Sequence, residues 1–345
     1  MENSEKREYL NLNIAFSSNP TIGDLMKNND YMKKTPKVLY RYKKFDEYIF
    51  DMIENDYVYL SPTGKLDDPF DCLTNINLDE IYREEKINFS SEMVEHIAEV
   101  ISRYIQLNAN DVSKIVPFIQ KSVNNKNENT NNLNNEIDNI GILTDKQKED
   151  CLNIMNNFIS TFKTIANDKQ FKDLLFKLSD SKNEVGICSF TTECNNKSMW
   201  SLYADSYNGC CIEYTIPMLP NIMYNLCPVI YTEDFYNDII KIMIGLTVDT
   251  IVRSFTMQLE RKNYRSVTEL VCTKDQSWQY QNEWRLIGKA EQKVKEIKIK
   301  NIYLGYGVSE ENRKKILTYA AKNGFGVYQM DVPTKFTSIT YKKVS

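Results

Sequence analysis

Histidine is almost absent from this chain of 345 residues, since His96 is the only one. Sites that need two imidazole ligands, including HExxH zinc sites, are therefore excluded. The 11 glycines form neither a GxxxxGK[ST] nor a GxGxxG pattern, which excludes the usual phosphate-binding loops. His96 itself lies beside Ile97 in a helical pattern, and we interpret it as a surface or packing residue.

Closely spaced cysteine pairs and long apolar runs are also missing. None of the eight cysteines forms a CxxC pair, and no apolar run reaches the ~18 residues that suggest a membrane-spanning helix. Residues 1–8 are charged and polar and lack the apolar segment of a signal peptide. We therefore expect a cytoplasmic protein with reduced, mostly buried thiols and no membrane contact.

The charges of the chain almost cancel. There are 43 Lys and Arg residues against 47 Asp and Glu residues, a net charge of −4. This balance argues against a protein that coats nucleic acid through bulk electrostatics, although a local basic patch stays possible. The lysines of residues 293–300 alternate with other residues, which suits a strand with one solvated face.

The pattern of apolar residues divides the chain into an arm, a core and an insertion. Residues 1–35 are polar and are predicted to be an N-terminal arm, whereas 36–89 and 181–345 carry most of the β-type runs. Residues 90–180 repeat apolar side chains at helical spacing. Within them, 124–139 are rich in asparagine and are predicted to be a surface loop. The prediction is an α+β fold with a mixed, mostly antiparallel sheet and a large helical insertion.

Individual strands are indicated by short runs of β-branched and aromatic residues. Residues 296–332 are predicted to form a β-α-β unit whose helix begins after Ser309, with Glu310 and Glu311 in its first turn. Runs typical of strands occur at 38–42, 57–61, 185–190, 211–216, 228–231, 284–287, 297–304, 326–330 and 336–341.

Five short motifs occur in a distinctive order along the chain. They are LYRY at 39–42, DDPFD at 67–71, MWSLYAD at 199–205, GCCIEY at 209–214 and NEWRL at 282–286. Together they resemble a widespread bacterial family known as domain of unknown function 2971, over roughly residues 38–335 apart from the insertion. That family typically has Asn and His where this chain has Asp67 and Asn208. The resemblance implies no established reaction.

The order of an arginine, a serine and a glutamate is similar to that of ADP-ribosyltransferases of the Arg-Ser-Glu type. This resemblance implies an enzyme that breaks the nicotinamide–ribose bond of NAD through an oxocarbenium-like state. Arg41 would bind a phosphate through its planar guanidinium. Ser189 would orient the ribose and the glutamate, and Glu283 would contact a ribose hydroxyl and stabilise positive charge.

Further residues are assigned to the same site. Gln281 precedes Glu283 by two positions, so both would project to one face of an extended strand. Trp200 or Tyr203 could stack on the nicotinamide ring, and Arg285 is predicted among the residues that bind NAD. No metal is predicted. The expected acceptor is a protein or a nucleic acid, and a toxin or phage-defence effector is the expected role.

Several alternatives stay open at this stage. Arg41 could simply pair with Asp71 or Glu283 at a sheet edge. Trp200, Tyr203 and Tyr207 are spaced as one helical face and could fill the core. Glu213 could replace Glu283 as the essential carboxylate.

Two other functions are compatible with the sequence. One is a metal-dependent nuclease built on Asp67, Asp68, Asp71 and Glu213, because carboxylate oxygens suit divalent cations. The other is a non-catalytic module of a bacterial defence system that binds nucleic acid or protein. The oligomeric state is not indicated by the sequence.

Overall fold

The chain folds into two compact units. The computed structural model describes residues 2–15, 33–66, 68, 71–73, 91–124, 131–165, 184–235, 238–239, 242, 264–332 and 338–345. One unit, here called the sheet unit, comprises Met1–Cys72, Ser181–Glu233 and Val271–Ser345. The other, the helical unit, comprises Leu73–Asp180 and Asp234–Leu270.

Thirteen described strands belong to the sheet unit. They are β1 (Val38–Lys43), β2 (Val58–Tyr59), β3 (Ser61–Pro62), β4 (Val185–Thr191), β5 (Cys210–Thr215), β6 (Leu226–Pro228), β7 (Ile230–Thr232), β8 (Thr273–Asp275), β9 (Glu283–Lys289), β10 (Lys293–Val294), β11 (Lys298–Leu304), β12 (Gly326–Met330) and β13 (Tyr341–Lys343). Nine of them form the main sheet in the order β13-β12-β11-β5-β1-β4-β9-β6, with β3 paired to β4.

The pairing within the main sheet is antiparallel except between β11 and β12. Two small sheets accompany it, an antiparallel β2–β10 pair and a parallel β7–β8 pair. The predicted α+β class with a mixed, mostly antiparallel sheet is therefore confirmed.

A helix connects the parallel strands β11 and β12, as predicted. Its bounds are Glu310–Asn323; Ser309 caps its first turn by accepting a hydrogen bond from the Asn312 amide at 3.2 Å. Gly324 ends it with φ of 79°, a left-handed conformation that glycine adopts without steric cost. The cap and the glycine together explain why the helix begins and ends at these residues.

One face of the main sheet is apolar because alternate strand residues are apolar. Leu39, Phe190, Ile212, Trp284 and Ile302 are buried there in the main hydrophobic core. The helices Glu47–Glu54 and Glu310–Asn323 also contribute buried side chains to this core. The opposite face carries polar and aromatic residues.

The N-terminal segment contains a helix, Asn3–Ala15, that packs against β6 and β7. Asn3 Nδ2 donates to the Tyr231 carbonyl at 2.6 Å, and Lys6 Nζ donates to the Val229 carbonyl at 2.9 Å. Tyr9 is buried in the main core. The predicted polar arm at 1–35 thus begins with a helix that is attached to the sheet unit through both polar and apolar contacts.

The helical unit is built from amphipathic helices around its own core. Ile97, Ile101, Ile115, Met155 and Phe158 are among its buried residues. Its principal described helices are Ser91–Tyr104, Val112–Asn124, Asn131–Asp138 and Asp145–Ile165. Within the described part of the chain, no helix combines the length and the apolar character needed to cross a membrane.

The asparagine-rich segment differs from its prediction. Residues 124–139 were expected to be a surface loop, but Asn131–Asp138 form a helix. This helix places Ile137 in the core of the helical unit, where the side chain is completely buried. Shorter helices complete the described structure at Lys197–Tyr203, Pro220–Met223 and Tyr264–Val271.

Candidate functional site

A row of polar side chains crosses five neighbouring strands on the face opposite the main core. Asn301 lies opposite Glu213, and Glu213 lies opposite Tyr40. Tyr40 in turn lies opposite Thr191, which lies opposite Glu283. Directly opposed residues project to the same side of a sheet. These five residues, here called the polar row, therefore share one face, with Glu213 and Glu283 near its two ends.

The Glu283 end of the row belongs to a buried ionic cluster of Asp71, Lys274, Glu283 and Arg285. Arg285 is fully buried; its Nε donates to Glu283 Oε1 at 2.7 Å. Its Nη1 and Nη2 donate to Asp71 Oδ1 at 2.9 Å and Oδ2 at 2.6 Å. Lys274 Nζ lies 3.1 Å from Glu283 Oε2 and 3.2 Å from Asp71 Oδ2. Two positive and two negative charges therefore compensate each other away from water.

Three short elements bring these four side chains together. Asp71 begins a 3₁₀ turn, Asp71–Leu73, in which Cys72 has φ of 53°. Lys274 is the central residue of β8. Glu283 and Arg285 lie two positions apart on β9, so their side chains share one face. The Val271 carbonyl also accepts a hydrogen bond from Arg285 Nη1.

The electrostatics of the cluster keep both of its carboxylates ionised. Burial by itself would raise the pKa of Asp71, but the charges of Arg285 and Lys274 outweigh it and hold that pKa well below its usual range. For Glu283, burial would again raise the pKa, but the charges of Arg285 and Lys274 outweigh burial, so the pKa is lowered. Both groups are therefore anionic acceptors at neutral pH.

Gln281 and Tyr203 extend the cluster. Gln281 Nε2 donates to the Tyr203 hydroxyl at 2.8 Å, while its Oε1 accepts from Lys274 Nζ at 3.0 Å. Gln281 and Glu283 thus converge on one ammonium group. The predicted reason for this convergence, an extended strand through both residues, is wrong. Gln281 ends the 3₁₀ helix Gln276–Gln281, and Asn282 is left-handed with φ of 43°.

Ser189 lies beside the cluster. It is half-buried on β4 and stands opposite Arg285 in the strand register, so it shares the face of Glu283. Within the described residues, its hydroxyl group makes no hydrogen bond. Ser189 is therefore a half-buried hydroxyl opposite Arg285, on the face of the cluster.

Trp200 is part of a second apolar cluster and fills space. It is fully buried, its Nε1 donates to the Cys194 carbonyl at 2.9 Å, and its ring lies between those of Tyr42 and Tyr207. The predicted stacking of Trp200 on a nicotinamide ring has no space in this arrangement, and the alternative of a core residue describes it better. Tyr203, by contrast, is half-buried.

Arg41 does not reach this site. Because Tyr40 shares the face of Thr191, the next residue along β1 projects to the other side of the sheet. Its guanidinium carbon lies 5.7 Å from the centre of the Phe190 ring, on the apolar side. The structure therefore does not bring Arg41, Ser189 and Glu283 together, and Arg41 does not pair with Asp71 or Glu283 as the simpler alternative proposed.

Glu213 has its own set of donors. Lys300 Nζ donates to its Oε1 at 2.8 Å, whereas Asn301 Nδ2 at 2.8 Å and the Tyr303 hydroxyl at 2.7 Å donate to Oε2. A bulge between Ile299 and Asn301 lets Lys300 and Asn301, which are consecutive residues, both reach this carboxylate. Glu213 therefore belongs to a network separate from that of Glu283.

The carboxylates proposed for a metal-dependent nuclease are not gathered at one place. Asp71 is bound by Arg285, and Glu213 is bound by Lys300. Asp67 lies outside the described residues. In the part of the chain that the structure describes, no group of three or more His, Cys, Asp or Glu residues could hold a metal ion.

The comparison with known families fits the position of this site. Residues 199–286 match the model of a family described as a protein of unknown function (DUF2971). The DUF2971 match includes Tyr203 and Glu213 as well as Gln281, Glu283 and Arg285. The resemblance noted from the five motifs is thus supported over this part of the chain. No curated protein and no solved structure matches the chain.

Sequence reasoning missed four residues of the site: Tyr40, Thr191, Lys274 and Asn301. Lys274 is a single lysine beside Asp275, and nothing in its spacing separates it from the surface lysines. Tyr40, Thr191 and Asn301 were not assigned to the site, because only the strand register reveals that they share the face of Glu283. Ser189 and Thr191 lie two positions apart on β4, so both side chains project to the same face. This alternation was the one signal in the sequence that could have assigned Thr191 to the site.

Proposed function

We propose that the face carrying the polar row is the catalytic face of an enzyme that cleaves the nicotinamide–ribose bond of NAD, as ADP-ribosyltransferases do. One observation carries the proposal: Lys274 Nζ bonds both Gln281 and Glu283, and Gln281 bonds Tyr203. Four side chains assigned to this chemistry from the sequence, including Arg285, are thereby joined in one network, with the Ser189 hydroxyl beside it.

Glu283 has the properties that the reaction requires. An oxocarbenium-like state needs a nearby carboxylate that is ionised and held in place. Arg285 keeps Glu283 deprotonated and fixes it through Nε and Nη2. Lys274 Nζ also bonds Gln281 Oε1 at 3.0 Å and lies 3.2 Å from Asp71 Oδ2, so it has other acceptors besides Glu283. When Lys274 shifts towards Asp71 and Gln281, Glu283 Oε2 keeps its 3.2 Å bond to Arg285 Nη2, and its second lone pair can accept a ribose hydroxyl.

The proposed site departs from the Arg-Ser-Glu pattern in its contact with the phosphates of NAD. Arg41 is on the other face of the sheet, and Arg285 is already committed to two carboxylates. In this proposal Ser189 and Tyr203 bind the ribose and the nicotinamide ring. The acceptor is a protein or a nucleic acid, in keeping with a toxin or phage-defence role.

The test is the release of nicotinamide from NAD, followed by chromatography. We expect Glu283→Gln to reduce the rate at least 100-fold (about 2.7 kcal/mol or more of transition-state stabilisation). The matched control is Glu291→Gln on the protein surface, where the side chain is 65% exposed and should leave the rate unchanged. Activity should persist in EDTA, because no metal is part of the proposal.

A second variant protects the test against misfolding. Glu283→Gln leaves Arg285 and Lys274 without a full counter-charge, so a folding defect could imitate catalytic loss. Ser189→Ala removes a hydroxyl that has no described partner, and it should reduce nicotinamide release while the melting temperature stays the same. Wild-type protein that binds NAD without releasing nicotinamide would overturn the enzymatic proposal in favour of a binding module.

A further inference from the structure

Arg41 is a charged side chain in an apolar place. It lies on β1 with Ile212 opposite it, and only 9% of its surface is exposed. Its guanidinium faces the ring of Phe190, which belongs to the main core. Arg41 therefore points into the interior of the sheet unit rather than towards solvent.

The guanidinium of Arg41 forms a hydrogen bond with the neutral Tyr214 hydroxyl, but its other nitrogens lack partners and its charge lacks a counter-charge. Its Nε and Nη1 are buried and have no hydrogen-bond partner among the described residues. The described chain also gives it no ion pair. A lysine in this position could lose its proton and become neutral, but arginine keeps its charge in proteins. The charge of Arg41 therefore requires a partner that the described protein groups do not supply.

The charge of Arg41 acts on two buried side chains, Cys188 and Tyr214. Burial raises the pKa of the Cys188 thiol, while the charges of Arg41 and Lys43 both act to lower it. Burial likewise raises the pKa of Tyr214, and Arg41 again opposes the shift. Arg41 also donates a side-chain hydrogen bond to the Tyr214 hydroxyl, and this hydroxyl keeps its own proton as a second donor.

We propose that Arg41 binds a small oxyanion, a phosphate or carboxylate group, in the interior of the sheet unit. Such a group supplies several acceptor oxygens to the unpaired Nε and Nη1 donors and compensates the buried charge. The Tyr214 hydroxyl donates to the same group. The site lies on the opposite face from Glu283, so it is independent of NAD cleavage and stands even if that activity is absent.

The experiment compares the thermal stability of three proteins during titration with sodium phosphate at constant ionic strength. The proteins are the wild type, Arg41→Met, and the control Arg313→Met, which removes an arginine from an exposed surface pair. A ligand that binds only the folded state raises the melting temperature along a binding curve. We expect this rise in the wild type and in Arg313→Met, and none in Arg41→Met.

The melting temperatures of the wild type and Arg41→Met without phosphate give a second readout. Methionine removes an uncompensated buried charge and keeps a similar length, so Arg41→Met should melt at or above the temperature of the phosphate-free wild type. With saturating phosphate the order should reverse. Equal phosphate responses in wild type and Arg41→Met would overturn the proposal, because they would show only the general stabilising effect of the salt. An Arg41→Met protein that melts lower in both conditions than a wild type shown to be free of retained anion would also overturn it.

Titrations with other compounds identify the source of the oxyanion. Titration with ADP, adenosine, acetate and inorganic phosphate separates a nucleotide phosphate from free phosphate and from a carboxylate. An anion retained through purification would hide the titration, so the protein is also denatured and the released anions are measured by ion chromatography. We expect about one equivalent from the wild type and none from Arg41→Met; no anion from the wild type, together with no response in any titration, contradicts the site.

Discussion

Asp71 and Arg285, which lie 214 positions apart in the sequence, are joined by two hydrogen bonds of 2.9 and 2.6 Å. The two nitrogens at the end of the guanidinium meet the two oxygens of the carboxylate, the strongest geometry available to this pair. Both side chains are buried. The contact therefore fixes the turn at Asp71 against strand β9, at the end of the polar row where Glu283 lies.

Removing Asp71 should destabilise the sheet unit strongly. Asp71→Asn leaves the fully buried Arg285 with one carboxylate, Glu283, which it shares with Lys274. Breaking a buried pair by removing one partner costs about 3–5 kcal/mol of unfolding free energy. Urea denaturation followed by circular dichroism measures this loss.

The control for that measurement is Asp331→Asn. Asp331 pairs with Lys342 at 3.0 Å, but both are partly exposed, at 31% and 78%. Exposed pairs contribute about 0–1 kcal/mol, so this variant should stay close to the wild type. Similar losses in the two variants would show that the buried pair has no special importance.

Acid should destabilise the protein through the same carboxylates. Burial alone would raise the pKa values of Asp71 and Glu283, but Arg285 and Lys274 lower both below their ordinary values of 3.8 and 4.5. A carboxylate with a lower pKa in the folded state stabilises that state above its unfolded pKa, and this stability is lost as the pH falls. The unfolding free energy should therefore decrease from about pH 5 downwards.

The contribution of Asp71 to this acid effect can be isolated. Asp71→Asn removes one of the titrating groups, so its unfolding free energy should change less steeply below about pH 5 than that of the wild type. Denaturation at several pH values measures both slopes, with Asp331→Asn as the control that retains both buried carboxylates. If the unfolding free energies of the wild type and Asp71→Asn changed equally steeply with pH, Asp71 would not contribute to the acid effect.

Gly326 should resist substitution because of Asn301. A Cβ atom at position 326 would lie 2.4 Å from Asn301 Oδ1, and Asn301 is held by its bond to Glu213. Gly326→Ala should therefore cost about 1–3 kcal/mol, typical of overpacking. Gly141→Ala, where nothing lies within 4 Å of the added Cβ, is the control.

A double-mutant cycle tests the cause of the Gly326 effect. In an Asn301→Ala background the clashing oxygen is gone, so Gly326→Ala should cost much less than in the wild type. Chemical denaturation of the four proteins gives the coupling energy. A cost that is unchanged by Asn301→Ala would locate the strain elsewhere.

The cysteines should differ in reactivity with a thiol reagent. All eight are free, and seven are buried, whereas Cys194 is half-buried. We expect one thiol to react quickly with Ellman's reagent in the folded protein and eight to react after unfolding. Cys194→Ser should remove the fast phase, and Cys151→Ser, at a buried position, should leave it. Several fast thiols in the wild type would contradict this distribution.

The periodicity of the sequence was enough to predict the fold class. Alternating apolar residues in runs such as 211–216 and the helical spacing within the described parts of 90–180 correspond to strands and helices of the structure. The helix Asn131–Asp138 was missed because its many asparagines favour a loop, and its two apolar residues, Leu133 and Ile137, give too little periodicity. Local patterns report the average character of a segment, so a single buried side chain is easily overlooked.

The sequence by itself determined the α+β class and the two-faced strands, and it singled out Glu283, Arg285 and Gln281 as candidates, because these depend on the local order of residue types. Only the tertiary structure decided which side chains meet. The pairing of Tyr40 with Thr191 places Arg41 on the far face of the sheet, and the turn at Asp71 brings a distant carboxylate to Arg285. Strand register and long-range contacts are properties of the whole folded chain, and a shift of one residue in register would exchange the two faces.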